Sequence, residues 1–209
     1  MNTSQKIAAA LLKIKAIKLS PEQPFKWASG WNSPIYCDNR LSLSYPDIRS
    51  LIKKELAELI RKEFPDAESI AGVATAGIAQ GALVADVLNL PFLYVRPKPK
   101  DHGMSNMIEG EIVKGRKVVL IEDLISTGGS SLKAAEALKE AGFNVLGMAA
   151  IFTYGFSIAD ENFKNAGIHL HSLSNYNVLV EEAVKGNYIS EDNLQSLKEW
   201  RQNPQDWKK

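Results

Sequence analysis

One stretch of the chain combines the residue types that phosphate and sugar chemistry need, in a usable order. It begins with an aliphatic run, Lys117 to Ile121, which predicts a strand buried on both faces of a parallel sheet. Two carboxylates, Glu122 and Asp123, end that run, and a turn rich in hydroxyl groups and glycine follows. The spacing of Ala and Leu from Leu132 to Ala141 then predicts a helix.

The turn from Ser126 to Ser130 predicts an anion site. Its small residues let successive backbone N–H groups face one point, and the positive end of the next helix adds to them, so that a phosphate is held without Lys or Arg. Glu122 and Asp123 repel phosphate but accept hydrogen bonds from vicinal hydroxyls or hold a hydrated Mg²⁺. A ribose 5-phosphate meets both demands. The plainer interpretation is a strand-to-helix turn with a solvated acidic edge, and the complete order of residue types argues against it.

Two commoner phosphate loops are excluded by the same residues. A Walker A loop needs Gly, four residues and then Gly-Lys-Ser/Thr, and no Gly-Lys pair of the chain fits that spacing. A dinucleotide fingerprint needs three spaced glycines before the helix, which are absent from this turn.

Composition predicts one domain with a substantial core, since the chain has 209 residues and 45 % of them are hydrophobic. A net charge of +1 indicates neither a nucleic-acid partner nor a membrane surface. The single Cys cannot form an internal disulfide, and the N-terminus lacks a small-residue cleavage site, so the expected location is the cytoplasm.

Strands and helices are predicted to alternate, which is typical of an α/β fold with a mostly parallel sheet between helices. The predicted helices are Ile7 to Ile17, Ile48 to Phe64, Gly77 to Leu88, Leu132 to Ala141 and two pieces around Gly186. The predicted strands are two short ones within Phe25 to Arg40, then Ser69 to Ala74, Pro91 to Val95, Lys117 to Ile121, Val145 to Thr153 and His169 to Leu173.

Residues 96–116 show no persuasive period, and a gap of that length in a compact α/β domain is typical of a functional loop. We interpret it as a mobile lid. Its basic start, Arg96, Lys98 and Lys100, follows a parallel strand, at the edge where ligands of such sheets bind, and would meet a pyrophosphate. The alternative is a solvated run in which Pro97 and Pro99 prevent sheet pairing.

The stretch 117–131 resembles the 5-phosphoribosyl 1-pyrophosphate (PRPP) motif of the type I phosphoribosyltransferases: four aliphatic residues, two acids and a Thr-Gly loop that opens a helix. Two further strings resemble the orotate branch of that family. They are Ser29-Gly30-x-x-Ser33-Pro34-x-Tyr36-Cys37-Asp38 and Arg96-x-x-x-Lys100-Asp101-His102-Gly103, and all three motifs occur in the family's order. The resemblance covers nearly the whole chain.

This resemblance implies the type I phosphoribosyltransferase fold as a single domain, residues 1–209. Its parts are an N-terminal helix and hood (1–44), an α/β core (45–160) with the lid 96–116, and a C-terminal strand and helices (161–209). It implies transfer of phosphoribose from PRPP to orotate, giving orotidine 5′-phosphate and pyrophosphate, with Mg²⁺ held mainly by substrate rather than by the protein. It also implies a homodimer whose lid reaches the neighbouring site.

The resemblance also assigns residues to roles. Catalysis is assigned to Lys100, His102 and Asp123, and orotate contacts to Tyr36, Cys37 and Ser126. PRPP contacts are assigned to Arg96, Lys100, His102, Glu122, Asp123, Leu124, Ile125, Ser126, Thr127, Gly128, Gly129 and Ser130.

Three positions depart from patterns seen in parts of the family. Ala28 stands where some members have Lys, Thr75-Ala76 where some have Tyr-Lys, and Thr153 to Phe156 contains no Arg to hold the orotate carboxylate. Backbone N–H groups near Tyr36 and Cys37, or the Arg40 side chain, are alternatives for that role. Two other functions stay open: a transferase for another base, and a non-catalytic regulator that senses PRPP.

Overall fold

The computed structural model describes residues 1–27, 30–98 and 107–208. Its elements in chain order are α1 (Thr3–Lys13), β1 (Ile17–Leu19), β2 (Phe25–Lys26), β3 (Asn32–Ser33), β4 (Ile35–Cys37), a 3₁₀ helix (Asn39–Ser44), α2 (Pro46–Glu63), β5 (Ser69–Val73), α3 (Ala76–Leu88), β6 (Phe92–Val95), β7 (Ile108–Glu109), β8 (Lys117–Ile125), α4 (Gly129–Glu140), β9 (Asn144–Thr153), α5 (Ser157–Ala166), β10 (Leu170–Asn175), α6 (Tyr176–Lys185), a short 3₁₀ helix (Glu191–Asn193) and α7 (Leu194–Gln202).

A six-stranded sheet forms the centre of the molecule, with the strand order β10-β9-β8-β5-β6-β7. Its strands pair in parallel, except that β7 runs antiparallel to β6. Helices cover both faces. The predicted α/β class and mostly parallel sheet are confirmed, and β8, which carries the acidic pair, lies between β5 and β9 in the interior of the sheet.

Strand β8 is longer than the aliphatic run that predicted it. It pairs with β9 as far as Ile125 opposite Thr153, so Glu122 and Asp123 lie within the strand and not beyond its end. The prediction that the carboxylates end the strand was therefore wrong. The neighbouring strand supplies a ladder of backbone hydrogen bonds that continues through polar residues, and side-chain type does not reveal that ladder.

The hood, residues 25–40, contains three short strands where the sequence predicted two. Strand β2 pairs with β3, and β4 pairs with β1, which lies outside the hood. That second pairing also explains why α1 ends at Lys13 and not at the predicted Ile17, because Ile17–Leu19 is used as a strand opposite Ile35–Cys37.

Two apolar cores lie on the two faces of the sheet. One includes buried residues of α1, α2, α6 and α7, and the other includes buried residues of α4 and α5. Trp200 is fully buried in the first core, and Trp207 is 8 % exposed there. Their predicted role as packing residues is confirmed.

Helix α5 and strand β7 are among the elements that the sequence did not predict. Helix α5 has only Ala159 and Phe163 buried, which is too few apolar positions to give a clear helical period. Strand β7 lies within the predicted lid but pairs with β6, Ile108 opposite Val95 and Glu109 opposite Tyr94, so this part of residues 96–116 belongs to the sheet edge. The division of the chain into 1–44, 45–160 and 161–209 stays a prediction.

Candidate active site

The predicted site residues that the structure describes meet at one edge of the sheet. Strands β5, β6 and β8 are parallel, so their carboxyl ends point the same way, and the loops that follow them are neighbours. Arg96 follows β6 directly, and Ser126 follows β8 directly. Lys100 and His102, predicted for the pyrophosphate, lie outside the described residues.

Glu122 and Asp123 differ in their surroundings although they are adjacent. The Glu122 side chain is only 6 % exposed; it accepts hydrogen bonds from Ser131 Oγ (2.8 Å) and from the Asp123 backbone N–H (3.0 Å). Asp123 is half-buried, and its carbonyl oxygen accepts from Asn39 Nδ2 (2.7 Å). Glu122 therefore ties the strand to the first turn of α4, while the Asp123 carboxylate remains the more available of the two.

Burial, followed by the charge of Asp123, raises the pKa of Glu122 from 4.5 to about 8. Burial also raises the pKa of Asp123, against the hydrogen bond with Glu122 and the positive charge of Arg40. The two carboxyls oppose each other's ionisation, and Glu122 is the more deeply buried. Near neutral pH we infer that Glu122 keeps a proton and that Asp123 carries the negative charge of the pair.

This pair predicts that stability falls as the pH rises. Glu122 loses its proton near pH 4.5 in the unfolded chain but only near 8 in the folded one, so between these values the folded state binds more protons and is destabilised by rising pH. Urea unfolding across that range measures the slope. We expect Glu122→Gln to flatten it and Glu161→Gln, at an exposed position of α5, to leave it unchanged. An unchanged slope in Glu122→Gln would contradict the assignment.

The turn after β8 has the geometry of an anion cradle. Gly128 has φ +81°, in the left-handed region, and immediately precedes Gly129, the first residue of α4. No side chain caps α4, so the N–H groups of its first turn are directed out of the helix end. Asn162 Nδ2 donates to the carbonyl oxygen of Thr127 (3.0 Å) and holds the turn against α5.

Gly128 is also limited by packing, because a Cβ atom there would lie 2.6 Å from Phe163 Cε2. We expect Gly128→Ala to destabilise the fold by about 1–3 kcal/mol and also to weaken PRPP binding, because the cradle must shift. Gly167→Ala is the matched control, since Gly167 has φ +63° but no atom within 4 Å of a Cβ. Calorimetric titration with PRPP separates the two effects. Equal PRPP affinity in both variants would count against the cradle.

A cleft of about 590 Å³ opens beside the cradle. Its lining includes Ala74 after β5, Arg96 after β6, and Ser130 and Lys133 of α4. Arg96 Nη1 lies 3.6 Å from the carboxylate of Glu109 at the sheet edge. Lys133 was not among the predicted contacts. Its position in the sequence, one helical turn after the cradle, could have indicated that it lies near the cleft. The cleft thus joins the phosphate turn to basic side chains.

Other residues of the predicted motif contribute packing. Ile125 is fully buried, and the partly buried Leu124 packs against the larger core. Ser126 is half-buried and Thr127 is exposed. Of the predicted motif, Gly129 and Ser130 line the cleft.

The predicted orotate residues of the hood differ from each other. Tyr36 is 43 % exposed, whereas Cys37 is half-buried and its Sγ donates to Asn39 Oδ1 (3.4 Å). Burial, followed by the charges of Asp123 and Asp38, raises the pKa of the Cys37 thiol well above its ordinary value. Cys37 is therefore a neutral thiol that packs between the hood and β8.

Asn39 is a site residue that the sequence did not reveal. It is 1 % exposed, and it connects the hood to the acidic strand through its bond to the Asp123 carbonyl. Its own carbonyl accepts from Ser42 Oγ (2.6 Å), which in turn accepts from Gln80 Nε2 (3.1 Å) on α3. A buried polar chain therefore fixes the hood relative to Asp123, and it depends on contacts between distant parts of the sequence.

Arg40, one of the alternatives for the orotate carboxylate, already has an acidic partner. Its Nε and Nη2 atoms donate to the two carboxylate oxygens of Asp38 at 2.7 and 3.1 Å. The Arg40 side chain is 59 % exposed. Its charge also acts on Asp123, which places it on the same side of the molecule as the acidic pair.

The acidic pair fits a metal ion that is held mainly by substrate. Among the described residues, no group of three or more His, Cys, Asp or Glu side chains is arranged to hold a metal. A single available carboxylate beside an anion cradle suits Mg²⁺, which keeps several waters and substrate phosphates as ligands. Asp123 is the residue best placed to contact such an ion. Separately, no helix in the described ranges is both long and apolar enough to cross a membrane.

Comparison with known proteins gives the family. The family model described as the phosphoribosyl transferase domain matches residues 42–177. Orotate phosphoribosyltransferase of Cytophaga hutchinsonii is 67 % identical over 209 residues, which are 100 % of both chains, and that of Porphyromonas gingivalis is 60 % identical over 201 residues, 96 % of each. The chain belongs to the orotate phosphoribosyltransferase family. The resemblance stated from sequence and the predicted enzyme class are confirmed.

A solved structure of the same family supports the fold. Orotate phosphoribosyltransferase from Aeropyrum pernix superposes with a TM-score of 0.77 at 29 % identity, covering 88 % of this chain and 99 % of that one. The predicted type I phosphoribosyltransferase fold is confirmed.

Proposed function

We propose that the protein transfers the 5-phosphoribosyl group from PRPP to orotate, giving orotidine 5′-phosphate and pyrophosphate in pyrimidine biosynthesis. The observation that carries this proposal is the edge of β8, where the half-buried Asp123 carboxylate precedes an uncapped helix start whose N–H groups can hold a phosphate. The family relatives named for this activity support it along the full chain. Following orotate's ultraviolet absorbance with PRPP and Mg²⁺ present tests it, and absence of change would reject it.

Different residues at this edge bind different parts of PRPP. The N–H groups of the turn and of the first turn of α4 hold the 5-phosphate, and the Asp123 carboxylate accepts hydrogen bonds from the ribose hydroxyls. Arg96 contributes positive charge toward the pyrophosphate from the end of β6. These contacts fix C1′ of the ribose in front of the hood, where Tyr36 and Cys37 border the space for the base.

Breaking the bond between C1′ and pyrophosphate creates positive charge on the sugar and negative charge on the leaving group, so the protein needs electrostatic stabilisation more than a nucleophile. Asp123 stabilises the sugar side of that separation. Arg96, together with the Lys100 and His102 assigned by resemblance, neutralises the other side. Mg²⁺, when bound, would neutralise part of the negative charge of the leaving pyrophosphate. The ring of orotate is already acidic, so no dedicated general base is required.

The same assay distinguishes the remaining substrate choices. A panel of bases tested at equal concentration, with adenine, hypoxanthine, guanine and uracil beside orotate, identifies the base that the hood accepts. Faster turnover of a purine would redirect the proposal to a sister transferase.

Two further properties belong to the proposal. The first is a homodimer in which the lid of one subunit reaches the other's site, and it rests on the family resemblance; sedimentation as a monomer at assay concentrations would reject it.

The second is location in the cytoplasm, which the free thiol of the single Cys37 supports. Export of the protein in fractionated cells would contradict that.

A further inference from the structure

One aromatic side chain at the end of the sheet is unexplained by the contacts above. Tyr154 follows the last residue of β9, and its backbone N–H donates to the carbonyl of Ile125 (3.0 Å), the last residue of β8. Ser126, the start of the phosphate turn, is the next residue after Ile125. Tyr154 therefore stands beside the point where the acidic strand becomes the cradle.

The ring of Tyr154 is held firmly in place. The residue is 3 % exposed, and its ring centroid lies 5.3 Å from Trp27, 5.5 Å from Phe156 and 5.8 Å from Trp200. Arg201 fixes the backbone of this position by donating from Nε to the Tyr154 carbonyl (3.3 Å) and from Nη2 to the Gly155 carbonyl (2.8 Å). The direction of the phenol is therefore set before any ligand binds.

The Tyr154 hydroxyl itself has no hydrogen-bond partner within the described parts of the chain. In the described part of the chain, Gln80 Oε1 is the one side-chain N or O atom that is both fully enclosed and without a hydrogen-bond partner. The Tyr154 hydroxyl, which also has no partner there, is therefore not fully enclosed. A buried hydroxyl normally finds a partner. An almost buried ring whose hydroxyl is unpaired but open is the arrangement expected at the floor of a ligand pocket.

Tyr154 contacts both the hood and the end of β8, since its ring packs on Trp27 of the hood and its backbone N–H donates to the Ile125 carbonyl. Burial raises the pKa of the phenol well above its ordinary value, and the neighbouring titratable groups Cys37 and Asp123 raise it further. The hydroxyl therefore keeps its proton and is a neutral hydrogen-bond donor.

Three other polar side chains around this region already have protein partners. Both donating nitrogens of Arg40 that face Asp38 are used in the bidentate pair, and Trp27 Nε1 donates to the carbonyl of Ile35 (3.1 Å). Thr153 Oγ1 lies 3.4 Å from the Ile125 carbonyl and accepts from the Gly155 N–H (3.1 Å). Within the described residues, the Tyr154 hydroxyl is thus a buried side-chain donor at the hood that no protein group uses.

We propose that the Tyr154 hydroxyl donates a hydrogen bond to the carboxylate of orotate and so selects the carboxylated pyrimidine. This inference rests on the proposed function and adds the group that recognises the base. A site built to donate to a substrate acceptor loses affinity when the donor is removed, because the charged acceptor is then left unpaired.

Tyr154→Phe tests this, because it removes only the hydroxyl and retains the ring contacts. We expect the KM for orotate to rise about tenfold to a hundredfold, as for loss of a hydrogen bond to a charged group, with the KM for PRPP unchanged. The matched control is Tyr176→Phe. Tyr176 is also buried beside Trp200, but its hydroxyl already donates to the Leu197 carbonyl (3.1 Å), so this variant should lose stability and keep the orotate KM.

Uracil, which lacks the carboxylate, provides the second measurement. Calorimetric titration of each variant with orotate and with uracil should show that Tyr154→Phe loses affinity for orotate alone. An active Tyr154→Phe enzyme with the wild-type orotate KM would overturn the inference and leave the proposed function intact. An equal loss for orotate and PRPP would also overturn it, in favour of a structural role. A wild-type protein that does not turn over orotate would overturn both.

Discussion

Replacing Asp123 by asparagine is expected to lower kcat/KM by about two to three orders of magnitude, the usual cost of removing one preorganised electrostatic contact to the transition state. Asparagine has nearly the same shape, but it cannot carry the negative charge that the ribose hydroxyls meet and that opposes positive charge on the sugar. The change removes the ionised member of the pair and leaves Glu122 with its proton.

The fold should survive this substitution. The structural hydrogen bonds at the position are made by the backbone, from Asn39 Nδ2 to the Asp123 carbonyl and from the Asp123 N–H to Glu122. Removing a half-buried carboxylate whose pKa is raised by burial also relieves a desolvation cost. We therefore expect a melting temperature at or above that of the wild type.

Steady-state kinetics over a range of Mg²⁺ concentrations, together with thermal unfolding, checks both statements. Asp86→Asn, at an exposed position of α3, is the matched control and should behave as the wild type. Normal turnover of Asp123→Asn at limiting Mg²⁺ would remove Asp123 from the site. A collapse of stability would show that the residue is structural.

The succession of residue types within one short stretch was enough to predict the centre of this site. The aliphatic run, the acidic pair, the small-residue turn and the following helix lie within about one βα unit, and each part is identified by its own residue types. Gly128 illustrates this, because the turn demands a left-handed residue and the sequence supplies glycine. Edges of elements were less well predicted, since β8 extends to Ile125 only because β9 pairs with it.

Contacts between distant segments could not be read from the chain. Asn39 and Asp123 are separated by 84 positions, and nothing in the string Asp38-Asn39-Arg40 indicates that its middle residue binds the acidic strand. The sequence drew attention to the segment Thr153 to Phe156 only because it contains no Arg, and it gave Tyr154 no role. Its relation to Cys37 and Asp123 depends on the hood folding over the end of the sheet.

The largest expected loss of stability is that of Trp200→Ala. Trp200 is fully buried in α7, and its ring lies 5.3 Å from Tyr176, 5.4 Å from Phe156 and 5.6 Å from Trp27 between centroids. Truncating such a side chain leaves a cavity and costs about 3–5 kcal/mol. For a chain of this size that corresponds to a melting temperature lowered by roughly 10 °C.

The same substitution should also weaken orotate binding, because Trp200 packs the C-terminal helix against the hood and Tyr154. Trp27 belongs to the hood, and the Tyr154 ring lies 5.8 Å from Trp200, so both lose a packing partner at once. We expect the KM for orotate to rise while the KM for PRPP stays near the wild-type value, since the cradle packs on the opposite core through α4. Trp200→Phe, which keeps an aromatic ring there, should lose less stability and little orotate affinity. If Trp200→Ala weakened PRPP and orotate equally at a temperature where it is folded, the aromatic cluster would have no specific part in positioning the base.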